Sequence, residues 1–142
     1  MIHADANEQN ILIKRTQQDF EICGIIDFQD SHNGYHVCDL AILIMYILTY
    51  ADTNQLTLGG YALAGYLSKQ SLTDVETSLL YWLVCGRFLT SLLLGLYNYS
   101  KTNNPYMLET QERGWAVLNK LWATPSSQLI SDWLDTKLCQ LT

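Results

Sequence analysis

The chain has 142 residues, of which 49% are hydrophobic and 15% charged, with a formal net charge of -6. That is one domain's worth of chain, with enough apolar content for a real core and too much for disorder. Its Lys and Arg residues form no cluster, which argues against nucleic acid as a partner; an acidic surface suits a cationic small substrate.

The chain opens on His3-Ala4-Asp5-Ala6-Asn7-Glu8-Gln9-Asn10, which fits H-x-D-x-x-x-x-N. Ile11-Leu12-Ile13 reads as a short strand, Arg15 to Asp19 as a polar turn, and Phe20 to Ile26 as the returning strand. In an antiparallel pair the start of one strand lies beside the end of the other. Asn10 and Asp27 therefore face each other, and their side-chain oxygens can converge on one point. Mg²⁺ is usually held by one or two protein oxygens, with phosphates and water completing its shell. Asp5, on the loop entering the same strand, can accept a hydrogen bond from an attacking hydroxyl. Base and metal ligands on one turn are what phosphoryl transfer requires, because that chemistry is mostly positioning and charge neutralisation.

His3 is expected to hold the loop rather than to move protons. Asp30 is either a turn cap or a further carboxylate facing metal or substrate. Ser31 to Gly34 is turn material, and from Asp39 the pattern becomes helical. Asp39 is expected to anchor backbone N–H groups of the catalytic loop or of its own helix. Helices are predicted over 38–51 and 56–69. Thr73-Asp74-Val75-Glu76 fits a capping box that starts a long helix to about Tyr99, apolar nearly all round and expected at the buried centre. Arg87 within it is expected to pair with a carboxylate, or else to grip a substrate carboxylate. Tyr81, Trp82 and Phe88 read as core. Pro105 suits a helix start, with Met107, Trp115, Leu118 and Trp122 on one face. Pro125-Ser126 opens a last helix through Leu129, Trp133, Leu134 and Leu138.

Residues 40–51 are about half the ~20 residues needed to cross a bilayer, and residues 79–97 carry Arg87 at mid-span, so both read as core helices and no membrane partner is expected. Cys23, Cys38, Cys85 and Cys139 lack metal-ligand spacing and read as buried free thiols, which points to a reducing, cytoplasmic compartment. Met1 to Asp5 lack the features of a signal peptide. The first motif begins at residue 3, leaving no room upstream for a nucleotide-covering lobe. The expectation is a single domain over residues 1–142 of mostly α, α+β class: a hairpin with its catalytic loop, then about five helices.

Residues 3–12 resemble the H-G-D-x-x-x-x-N-I-L loop of the aminoglycoside phosphotransferase/choline kinase superfamily. Gly24 to Asp30 resembles its G-I-I-D-F-G-D segment, and Asp39-Leu40-Ala41 its helix-opening D-L-A. Ala62 to Tyr66, Leu83 to Phe88 and Gly114-Trp115 look like the C-terminal part of the hydroxylysine kinase family, a resemblance reaching to about residue 122. It implies the C-terminal lobe of a protein-kinase-like fold, with the N-terminal nucleotide lobe absent. It also implies transfer from a nucleoside triphosphate, GTP in that family, to the hydroxyl of 5-hydroxy-L-lysine in lysine catabolism. Asp5 would be the catalytic base, and Asn10 and Asp27 the Mg²⁺ ligands. Ala4 and Gln29 replace family glycines; a positive φ at Gln29 would cost about 1 kcal/mol or more. Lacking a Gly-rich loop, strand Lys and helix Glu, this chain alone is expected to have negligible activity. Two other readings are a non-catalytic binding module and a metallophosphatase built on His3, Asp5, Asp27 and Asp30. The second lacks ligands, since only His32 and His36 remain.

Overall fold

A computed structural model describes residues 1–17, 19–51, 56–108 and 110–136. Two strands, β1 (Ile11–Arg15) and β2 (Phe20–Ile25), form an antiparallel hairpin in which Ile11 faces Ile25. A bulge between Leu12 and Ile13 shifts the register, so that Leu12 faces Gly24 and Ile13 faces Ile22. Pairing extends one step past the ladder, because the Ile26 N–H donates to the Asn10 carbonyl at 3.0 Å. Among the described residues five α-helices follow: α1 (His36–Tyr50), α2 (Gly59–Leu67), α3 (Asp74–Thr102), α4 (Gln111–Ala123) and α5 (Ser126–Leu134). This is the expected C-terminal lobe: a hairpin carrying the catalytic loop, and behind it a helical body.

The core is one cluster in which α1 contributes Leu40, Ala41, Ile44, Met45 and Leu48, and α3 contributes Leu80, Val84, Phe88 and Leu92. Val117, Leu118 and Leu121 of α4 and Leu129 and Trp133 of α5 close it. Trp133 is fully buried, and its indole N–H donates to the Leu56 carbonyl at 2.7 Å. This bond ties α5 to the 3₁₀ turn Leu56–Leu58 that leads into α2. The helix predicted from Leu56 is thus a 3₁₀ turn followed by α2. The capping box is present: the Thr73 hydroxyl accepts from the Glu76 N–H, and the Glu76 carboxylate accepts from the Thr73 N–H at 2.9 Å.

Several sequence expectations are corrected here. Helix α3 is not buried all round; Leu80, Tyr81, Val84, Cys85, Phe88 and Leu92 make one buried stripe, while Val75, Leu79, Trp82, Leu93, Leu94 and Tyr97 lie on the exposed side. Trp82 is one position off the stripe and half exposed, so its ring meets Tyr81 and Trp122 edge-on instead of entering the core. By length and composition α3 is apolar enough to cross a membrane; here its stripe is spent on the core. Pro105 opens a 3₁₀ turn, Pro105–Leu108, and α4 starts only at Gln111. The buried face of α4 is Gly114, Val117, Leu118 and Leu121, with Trp122 exposed. A Cβ on Gly95 would meet the Met107 carbonyl at 2.7 Å, so glycine there lets the 3₁₀ turn approach α3. Leu134 is half exposed. Of the cysteines, Cys85 is buried, Cys38 half-buried and Cys23 exposed on the hairpin; all three are free thiols. Leu138 and Cys139 lie outside the described residues.

Two stability predictions follow from this core. Trp133→Ala removes a fully buried indole and its hydrogen bond, and should lower the unfolding free energy by about 3–5 kcal/mol, read as a lower urea midpoint at similar slope. The second concerns Tyr81, which joins α3 to α4 by donating its hydroxyl to the Leu121 carbonyl at 2.9 Å. Burial, with the nearby Cys85 thiol adding to it, pushes that hydroxyl up to about 12 from the usual 10. The folded chain therefore holds the proton more tightly than the unfolded one, and the stability this gives is complete below pH 10 and lost as pH rises towards about 12. Urea titrations across that window should show Tyr81→Phe losing stability less steeply with pH than the parent.

Candidate active site

The loop before β1 is held from beneath by one carboxylate at the start of α1. Asp39 accepts the His3 N–H on Oδ2 and the Ala4 N–H on Oδ1, both at 2.7 Å. His3 then braces the far side of the hairpin. Its Nε2 lies 2.9 Å from the Ile26 carbonyl, which can only accept, while its Nδ1 accepts the Asp5 N–H at 3.3 Å. These bonds assign a neutral ring with the proton on Nε2. The same ring lies 4.7 Å from Phe28, so it touches both neighbours of Asp27 along the chain.

Three donors converge on the Asp5 carboxylate. Asn7 Nδ2 and Asn10 Nδ2 reach Oδ2 at 3.0 and 3.2 Å, and the Arg87 guanidinium reaches Oδ1 at 3.4 Å. Asn10 is buried, and its Nδ2 also donates to the Asp5 carbonyl at 2.9 Å. With the amide nitrogen engaged, the amide oxygen of Asn10 is the atom left to serve as a ligand. Asn7 Oδ1 accepts the N–H groups of Gln9 and Asn10 at 2.9 and 3.0 Å, which shapes the turn into β1.

Asp27 follows the residue paired with Asn10. It is exposed and has a left-handed backbone, φ 63°. Such a conformation is uncommon outside glycine and concentrates at functional positions. Ala4 shares it, with φ 69°, at a strain of about 1–2 kcal/mol for an alanine. Gln29 does not; the left-handed positions among the described residues are Ala4, Asp27 and Asn103, so the glycine-to-glutamine departure carries no such strain. An amide oxygen and a carboxylate, both hard donors on adjacent strand ends, suit Mg²⁺ when phosphates supply the remaining ligands. No group of three or more His, Cys, Asp or Glu side chains forms a metal cluster among the described residues.

The structure therefore brings His3, Asp5, Asn10, Asp39 and Arg87 into one hydrogen-bonded unit with Asp27 beside it. Asp30 lines a cavity of about 640 Å³ together with His32 and Tyr35, and Arg87 of that unit also lines it, as does Ala4. A smaller cavity of about 270 Å³ is lined by Asn7 and Arg87, both bonded to Asp5, and by Glu8, Tyr46, Tyr50 and Tyr106 among others. Tyr106 closes one rim by donating its hydroxyl to Gln9 Oε1 at 2.9 Å. Burial raises the Tyr46 hydroxyl above its usual range; the Arg87 guanidinium opposes this, while the charges of Asp5 and Glu8 reinforce it. Sequence reasoning missed Tyr46 and Tyr50 because it took 38–51 as an apolar helix. The available signal was two tyrosines four residues apart in an otherwise aliphatic run, each with a polar tip that core packing alone does not need.

The family model described as "Phosphotransferase enzyme family" (APH) matches residues 1–75, more than half of the chain. The chain belongs to this phosphotransferase family. It is similar to the hydroxylysine kinase of Bos taurus, 36% identical over 141 residues, covering 94% of this chain and 37% of that protein. Hydroxylysine kinases of Xenopus laevis and Danio rerio are each 35% identical, again over 94% of this chain and 38% of theirs. The chain thus spans little more than a third of the length of these relatives. No solved structure matches it significantly.

Replacing Asp39 by Asn should free one of the two N–H groups that its carboxylate holds, at about 1.5–3 kcal/mol for a hydrogen bond to a charged group. Amide exchange at His3 and Ala4 should accelerate by one to two orders of magnitude, while amides in the α3 core stay protected.

Proposed function

We propose that this chain is the C-terminal, catalytic-loop lobe of a small-molecule kinase whose nucleotide-covering part is supplied by a further segment. The acceptor is a small hydroxylated amine, 5-hydroxy-L-lysine by analogy with the named relatives. The donor is GTP or ATP, and the setting is the cytoplasm. The observation that carries this reading is the Asp5 carboxylate, held by the Asn7 and Asn10 amides with the Arg87 guanidinium beside it, next to a cavity that Asn7 and Arg87 help to line.

In this reading the acceptor hydroxyl rests in the cavity and donates to Asp5. As its oxygen attacks the γ-phosphorus, its proton passes to Asp5 and the nucleoside diphosphate leaves. Asn10 and Asp27 would hold Mg²⁺, which neutralises charge on the phosphates when bound. His3, Asp39 and the Asn10–Ile26 pairing keep base and ligands in register. The exposed apolar residues of the hairpin and its exit, Ile13, Phe20, Ile22 and Phe28, support the idea of a covering segment.

A fusion in which this chain replaces the matching third of Bos taurus hydroxylysine kinase tests the reading. It should phosphorylate 5-hydroxy-L-lysine, whereas the 142-residue chain alone should show negligible turnover. In the fusion, Asp5→Asn should lower kcat by about 10²–10⁴ with a small change in acceptor KM. An Asp5→Asn fusion of undiminished kcat would exclude Asp5 as the base. Full activity of the chain by itself would remove the need for a second lobe and leave the non-catalytic alternative without support.

A further inference from the structure

The cavity beside Asp5 carries one charge of each sign. Arg87 stands in its wall, and Glu8 lies exposed at its edge on the loop that bears Asp5. Arg87 is not satisfied by its ion pair. One terminal nitrogen meets Asp5 at 3.4 Å, long for a charge-assisted bond, and its Nε is buried with no hydrogen-bond partner among the described residues. A half-buried guanidinium that meets Asp5 by one loose contact and also bonds the Tyr46 hydroxyl still has donor capacity for an anion at the cavity wall.

We propose that Arg87 and Glu8 are the specificity residues of the acceptor site. They would select a hydroxylated α-amino acid by its two ends, the α-carboxylate on Arg87 and the ammonium beside the reacting hydroxyl on Glu8. The proposal rests on the phosphotransferase reading, which requires the hydroxyl to lie on Asp5. Glu8 is three residues from Asp5 on the same loop, so it is the acid placed to meet a charge next to that hydroxyl. The volume of about 270 Å³ lies just below the usual range of small-molecule sites, which fits a single amino acid and excludes a multi-ring amine. Tyr46 and Tyr50 offer ring faces for the methylene chain between the two ends, and Tyr106 closes the rim.

The test uses the isotope-labelled 142-residue chain and follows binding by NMR titration. The ligands are 5-hydroxy-L-lysine, L-lysine, the decarboxylated diamine of hydroxylysine, and the analogue with a methyl group in place of the terminal ammonium. Lysine should bind about as well as hydroxylysine, because the two ends carry the affinity. The diamine and the methyl analogue should each bind about tenfold to a hundredfold more weakly. Glu8→Gln should weaken hydroxylysine by a similar factor and leave the methyl analogue unaffected; Arg87→Gln should do the same with respect to the diamine. If Arg87→Gln does not fold, the comparison of ligands on the parent chain still decides the question.

Equal affinity for all four ligands, or variants that weaken all of them alike, would overturn the assignment. So would failure of hydroxylysine to shift the resonances of Tyr46 and Glu8 while the fusion still phosphorylates it. That last result would leave the kinase reading standing. Conversely, charge-selective binding by the chain together with a folded fusion that phosphorylates none of the ligands would fell the kinase reading and keep the binding site.

Discussion

Asp39 is the residue on which the geometry of the site rests, because it converts helix α1 into a foundation for a loop that has almost no regular structure of its own. Residues 3–10 make few backbone hydrogen bonds, and the two N–H groups at their start would otherwise lie part-buried and unpaired. A carboxylate on the first turn of a helix is favoured there by the helix dipole, and the same group reaches outward to both N–H groups at 2.7 Å. The helix is in turn fixed by Leu40, Ala41, Ile44 and Met45 in the core. Position therefore passes from core packing to α1, from α1 to Asp39, and from Asp39 to the backbone on either side of Asp5. Each link is short and directional, which is what holding a side chain to fractions of an ångström demands.

Helix α3 provides the second support, and it shows how one element can be both core and site. Its stripe from Leu80 to Leu92 builds the centre of the molecule, and Arg87 sits between Val84 and Phe88 in sequence but off that stripe, where it reaches Asp5. A guanidinium carried on so rigid a helix has little freedom to follow the loop. The Arg87–Asp5 contact is accordingly long, with the Asn7 and Asn10 amides making the closer bonds to the same carboxylate. The orientation of Asp5 is set by its own loop, and Arg87 mainly sets the charge beside it.

How much of this could be read from the chain alone differs by element. The hairpin, the capping box at Thr73 and the stop–start pattern of helices were legible because each depends on local chemistry: alternation, a reciprocal side-chain cap, turn residues. The same held for the loop, since H-x-D-x-x-x-x-N and Ile-Asp-Phe occupy the two ends of one hairpin. What failed was the choice of buried face. Helix α3 is apolar nearly all round, so periodicity could not say which side meets the core, and Trp82 fell on the wrong one. Gly59 and Gly114 decided part of that outcome, because α2 and α4 approach Trp133 and Leu92 so closely that a Cβ at either would lie 2.8 Å away. Close approaches of this kind are set by partners distant in sequence. The cavity beside Arg87 was missed for the same reason: Tyr46 is on α1, Arg87 on α3, Tyr106 on a 3₁₀ turn and Glu8 on the loop, and only tertiary packing brings them together.

The hairpin itself explains why the motif residues gather at one of its ends. A two-stranded ribbon is marginal in water without a packed face, and here Ile13, Phe20 and Ile22 toward the turn are exposed. Its ties to the rest of the chain among the described residues gather at the open end: Ile26 to His3, Asn10 to Asp5, and Ile2 to His32 in a short bridge, next to the Ile26–Asn10 pairing. Asp27 is the residue at which this fastened end must turn away from the ribbon, and its left-handed φ is the local strain of doing so. An aspartate tolerates that conformation better than a β-branched or bulky residue. The position that most needs a permissive backbone is thus also one that can carry a carboxylate, one residue after the strand end that pairs with Asn10.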